Sequence, residues 1–109
     1  MAEDSQNSFK AKRERQENEL RQFERRLEKL RVDFDQFFMG LLKVPPVDAK
    51  NKLQRDLRFS DLKKANNTAL RFRFQNVTQK LTTLNTYWER TMRQREDGTF
   101  RRGPRGKSK

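Results

Sequence analysis

Arginine alternates with phenylalanine at Arg71-Phe72-Arg73-Phe74, and further along Tyr87-Trp88 is followed by Arg90, Arg93 and Arg95. Guanidinium groups set beside aromatic rings suit two kinds of recognition. In one, rings stack on bases while cations hold phosphates. In the other, Trp and Arg anchor a protein interface, where these residue types most often dominate the binding energy. Further cations follow as Arg101, Arg102, Arg105, Lys107 and Lys109. Together with Arg90, Arg93 and Arg95 they make an electrostatic footprint suited to a polyanion such as RNA or the ribosome. For a protein partner the candidate contacts are apolar: Phe37, Phe38, Leu41 and Leu42, with Phe72 and Trp88 on the second half of the chain.

Catalysis is poorly supplied. The chain has no His and no Cys, which removes the commonest general base, the commonest metal ligand and the thiolate nucleophile. Four glycines do not build a phosphate loop, and Asp33 and Asp35, two residues apart, lie on different faces of a helix. Glu96-Asp97 alone makes no metal cage. No enzymatic activity, metal or cofactor is expected.

The charge is unevenly placed. Residues 1–40 hold nine Lys/Arg and nine Asp/Glu, residues 41–100 thirteen against six, and residues 101–109 five against none. The net +12 therefore belongs to the second half, where a polyanion is expected to arrive first. At 109 residues the chain is one domain at most, and 31% hydrophobic against 39% charged residues excludes a thick core. Nine Phe, one Tyr and one Trp argue equally against disorder. The opening MAEDSQNSFKAKRERQ carries no apolar run, and no stretch reaches the ~20 apolar residues of a membrane span. With the absence of Cys, this points to the cytoplasm.

The elements that must hold these residues are helices. Leu20, Phe23, Leu27, Leu30, Phe34, Phe37 and Leu41 follow the alternating three- and four-residue steps of a coiled-coil seam. Extended backwards, the phase lands on Gln16, Arg13 and Phe9, where the seam weakens. Pro45-Pro46 then stops the first helix near Lys43, and Asp48 is placed to cap the next. Leu53 and Leu57 begin a second helical pattern, which resumes as Leu70, Phe74, Val77, Leu81, Leu84 and Trp88. Between them, Phe59-Ser60-Asp61 is either a break capped by Ser60 or a kink in one helix, and both stay open. Asn66-Asn67-Thr68 reads equally as a register-fixing polar patch or a solvated one.

Two seams of one period around a Pro-Pro turn predict an all-α fold: an antiparallel two-helix coiled-coil hairpin. Its parts are a disordered 1–8, a first arm 9–43, a hinge 44–48, a second arm 49–98 and a flexible basic tail 99–109. Leu41 opposite Leu53 would set Leu20 beside Phe74 and Leu27 beside Asn67. Such a hairpin leaves one side of each arm open, so self-association into a dimer or a docked partner is expected. Phe72 falls off the seam, near Leu62, Ala65 and Ala69, to be packed by another helix or used as a contact.

The runs PPVDAKNKLQRDLR and NTALRFRFQNVTQKLTTLNTYWERTMRQREDGTF resemble a family of small, largely uncharacterised helical coiled-coil proteins of deltaproteobacteria and myxobacteria. The resemblance covers about residues 34–102 and implies a helical fold in a bacterial cytoplasm. A looser likeness is to accessory proteins of bacterial polarity and gliding-motility GTPase modules, and it assigns no residue a role. The functional expectation is a non-enzymatic adaptor or scaffold that binds a protein partner. The alternative is RNA or ribosome binding through the basic second arm and tail.

Overall fold

The computed structural model describes the backbone of residues 2–96 and the side chains from residue 8 onward. The fold is all-α. Helix α1 spans Ala2–Phe38, α2 Val47–Arg58 and α3 Thr68–Glu96, with a 3-10 turn at Asp61–Lys64. Residues 2–8, expected to be disordered, belong to α1. The expected tail, residues 99–109, and Gly98 as a helix terminator lie outside the described residues.

Helix α1 stops at Phe38, short of the expected Lys43, and Gly40 stops it. Gly40 takes a left-handed φ of 86°, a conformation glycine adopts without steric cost. Its N–H donates to the Phe37 carbonyl at 3.0 Å, and the Leu41 N–H donates to the Gln36 carbonyl at 2.8 Å. These paired bonds form a Schellman motif, which ends the helix and satisfies its last carbonyls. Leu41, expected on the seam, is consequently thrown into the loop and exposed. Asp48 does not cap α2. It sits in the first turn, after Val47, where its carboxylate complements the positive end of the helix dipole.

The second arm breaks. Ser60 Oγ accepts from the Leu62 N–H at 3.1 Å and caps the 3-10 turn, while donating to Glu19 Oε2 at 3.0 Å. Asn67 Oδ1 accepts from the Leu70 N–H at 3.1 Å, so Asn67 is the N-cap of α3. The chain therefore reverses twice, once at residues 39–46 and again at residues 59–67.

Two reversals change the architecture from a hairpin to an up-down-up three-helix bundle, a rod of 71 × 22 × 20 Å. Helices α1 and α2 are antiparallel: Glu19 meets Ser60, and Arg26 meets Asp56 at 3.0 Å. Helices α2 and α3 are antiparallel as well, with Lys50 beside Asn85 and Leu57 beside Leu81. Helices α1 and α3 are therefore parallel. Phe23 contacts Phe74, Phe34 stacks on Trp88, and the Phe37 carbonyl accepts from Arg95. The expected proximity of Leu27 to Asn67 is replaced by Leu27 beside Val77.

The seams themselves survive. Leu20, Phe23, Leu27, Leu30, Phe34 and Phe37 of α1 are buried against Leu53 and Leu57 of α2 and Leu70, Phe74, Val77, Leu81 and Trp88 of α3. Leu62 and Ala65 close the lower end. Helix α2 has 12 residues, below the length at which an isolated helix persists in water. Packing against both neighbours holds it.

One cation enters this core. Lys50 is buried, and its Nζ donates to Asn85 Oδ1 at 2.8 Å, with Glu89 Oε2 at 3.8 Å. Asn85→Leu removes the ammonium's hydrogen bond, leaving the longer Glu89 contact, and is expected to cost about 1–3 kcal/mol. Lys50→Met removes the charge with the stem's shape kept and should cost less. Thermal melts of the two variants check the order.

Candidate functional site

The structure divides the expected partner-binding residues. Phe37, Phe38 and Trp88 are buried and belong to the core. The broadening of the seam at Phe37-Phe38 serves packing: Phe38 lies 5.9 Å from Phe34 and meets Tyr87 edge-on at 6.2 Å. Leu42 is partly buried against the same cluster. Only Leu41, 67% exposed, and Phe72, 62% exposed, remain available to a partner. They do not form one surface with the rest. Leu62 and Ala65, expected beside Phe72, are in the core.

A different apolar surface takes their place. In the loop between α1 and α2, Met39, Leu41 and Val44 are all exposed. Tyr87, at the same end of the rod through its contact with Phe38, is half exposed. The Schellman turn fixes the start of this loop and Pro45-Pro46 its end, so three aliphatic side chains are held outward on a short, constrained tip. Sequence reasoning missed Met39 because it treated residues up to Lys43 as helix, and Val44 because it read the hinge only as a turn.

The basic candidates divide too. Arg90 and Arg93 are exposed on the last turns of α3. Arg95 is engaged: its Nη1 donates to the Phe37 carbonyl at 3.1 Å, and its guanidinium lies 4.5 Å from the Phe37 ring centroid. It caps the negative end of α1. Arg101, Arg102, Arg105, Lys107 and Lys109 lie outside the described residues.

Along the middle of the rod, charges are matched. Arg73 makes a bidentate pair with Glu24, at 2.9 and 3.2 Å, and Glu17 lies 4.0 Å away. Hydrogen bonding to Glu24 raises the guanidinium's pKa above its ordinary value, against the opposing effect of burial. Arg31 bridges Glu28 and Asp35 on the surface of α1. Its hydrogen bond holds the Glu28 carboxyl below the usual carboxylate range. What that bond contributes is present above the ordinary carboxylate pKa and is lost as the pH falls through the lowered one. A crevice between α1 and α3 is walled by these paired residues over Leu27, Val77 and Leu84.

The lower end is different. Residues 8–15 of α1 are exposed on every side, beyond the point where α3 begins. A cleft of about 330 Å³ lies between this projection and the start of α3, lined by Phe9, Lys12, Arg13, Gln16, Lys64, Asn66 and Asn67. Sequence reasoning missed this site, because the first 40 residues are neutral when summed. The chain's basic character is therefore not confined to its second half.

Among the described residues, no three His, Cys, Asp or Glu side chains cluster closely enough to hold a metal ion. No helix among them is long and apolar enough to cross a membrane. No protein-family model, characterised protein or solved structure matches the chain.

Proposed function

We propose that the protein is a non-enzymatic helical adaptor that binds a protein partner through the apolar tip of its rod. The observation that carries this reading is the loop 39–46, where Met39, Leu41 and Val44 are exposed together at a fixed turn. Scattered apolar side chains are ordinary on a protein surface. Three on one short loop beside a half-exposed tyrosine make a patch, and patches mark interaction sites. A constrained loop also loses little conformational freedom on docking, so more of the contact energy appears as affinity. Lys43 in the loop, with Arg90 and Arg93 near the same end, would set orientation and association rate more than affinity.

A cytoplasmic bacterial setting belongs to the same proposal. The likeness to accessory proteins of polarity GTPase modules makes such a module the first partner to test.

A photo-crosslinking residue placed at Leu41, compared in cells with the same residue at exposed Lys80, tests the proposal. One discrete adduct is expected from position 41, lost when Met39→Ser and Val44→Ser are added. Equal, diffuse labelling from both positions would leave the tip with no role in binding.

A further inference from the structure

We infer that the cleft between the projecting part of α1 and the start of α3 binds a single-stranded polynucleotide. The heptad phase supplies the first observation. Phe9, Arg13 and Gln16 continue the steps that lead into Leu20, Phe23 and Leu27, so they share the face that is buried higher up. At their level no helix among the described residues covers that face. The neighbours are Lys64, Asn66 and Asn67, and Phe9 is left 69% exposed.

The lining is chemically consistent. It holds three cations, three side-chain amides and one aromatic ring, and no carboxylate. Lys12, Arg13 and Lys64 join no ion pair among the described residues, whereas Arg21, Arg26, Lys29 and Arg31 higher on the same helix each meet a carboxylate. Acids do occur nearby. Glu14 and Asp61 do not line the cleft, Glu17 pairs with Arg21, and Glu19 accepts from Ser60. Lys10, Arg15 and Lys63 add exposed positive charge around the rim.

This combination selects the ligand. Unpaired cations attract phosphates, and an exposed ring offers a stacking platform for a base. Gln16 and Asn66 carry both donors and acceptors for base edges. The carboxamide oxygen of Asn67 is used as the α3 cap, which leaves its amino group as a donor. A duplex keeps its base faces stacked inside and would leave Phe9 unused. An acidic peptide would use the cations but not the platform.

The test uses the full chain and fluorescein-labelled oligo(U) and oligo(dT) of about 12 nucleotides, a length within the range of single-strand sites. Anisotropy is followed across a salt series. Phe9→Ala is expected to weaken binding by about 5- to 150-fold, the range of one lost base–aromatic stack. The triple variant Lys12→Gln/Arg13→Gln/Lys64→Gln should lower the salt slope by about 2, for three phosphate contacts on a single strand. The triple variant Arg101→Gln/Arg102→Gln/Arg105→Gln removes equal charge from another part of the sequence and should weaken binding less. Preference for oligo(U) would identify RNA as the ligand, and equal binding would identify single strands of either kind. The inference is overturned if Phe9→Ala binds as the parent does, if the tail variant loses as much as the cleft variant, or if an annealed duplex binds equally well. It is overturned too if Phe9→Ala only converts a dimer to a monomer in sedimentation, because the cleft would then be an interface between copies. Circular dichroism confirms folding of each variant, and the exposure of Phe9, Lys12, Arg13 and Lys64 predicts no loss.

Discussion

Leu30→Asp is expected to abolish cooperative folding at neutral pH. Leu30 is 3% exposed and shares the α1–α2 crevice with Leu53. Loss of a buried leucine side chain costs about 2–5 kcal/mol, and an unpaired carboxylate in its place costs several more. Together these match the whole stability of an ordinary domain, about 5–15 kcal/mol. Nearby cations offer little rescue, because Arg26 holds Asp56 at 3.0 Å and Lys29 holds Asp33 at 3.2 Å. The sign of the pH effect follows from burial, which raises the new carboxyl's pKa in the folded state. The penalty grows as pH rises above the ordinary carboxylate pKa of about 4 and shrinks below it. Helicity and thermal melts at neutral and acid pH check this, with Val32→Asp on the exposed side of α1 as control. A variant melting like the parent at neutral pH would count against the seam.

Trp88→Ala is expected to cost about 3–5 kcal/mol. Trp88 has no exposed surface and stacks on Phe34 with ring centroids 4.0 Å apart and planes 12° from parallel. It ties α3 to α1 near the upper end, where α2 is only beginning. At about 4–8 °C per kcal/mol for a domain of this size, the melting temperature should fall by about 12–40 °C. Among the described residues the indole Nε1 has no hydrogen-bond partner, so Trp88→Phe surrenders none of their bonds and should cost clearly less. Scanning calorimetry of both variants measures the difference. A Trp88→Ala protein of unchanged stability would return this residue to the partner-binding set.

The two seams were legible because a heptad phase is set by side-chain period alone, and burial follows it from Leu20 to Phe37 and from Leu70 to Trp88. The number of reversals was not legible. Leu53 and Leu57 share the period of the later seam, so periodicity passes over the break without a mark. Ser60 and Asn67 are strong capping residues, yet a cap and a polar patch look alike until the backbone bond is seen. The stop was expected from Pro45-Pro46 when Gly40 was the terminator, and that difference moved Leu41 from core to surface. Parallel packing of α1 and α3 follows from the second reversal, which no local pattern announces.

The candidate sites were less legible than the fold, for a related reason. Phe37, Phe38 and Trp88 are the right residue types for an interface, but the same types fill a core. Their placement depends on whether a third helix arrives to cover them. The basic lower end was hidden by arithmetic along the chain. Acids that cancel Lys12 and Arg13 in a sum over residues 1–40 are spent on other cations in space, such as Glu24 on Arg73 and Glu28 on Arg31.

An odd number of long segments puts Ala2 and Glu96 at opposite extremities of the rod. Tension applied between them would run along the α1–α3 seam, with the two parallel helices drawn past each other lengthwise. Contacts from Phe23–Phe74 to Phe34–Trp88 would then bear load simultaneously, in shear. A two-arm hairpin pulled from adjoining ends would instead unzip one contact at a time, so the second reversal turns the same seam into a mechanical strut.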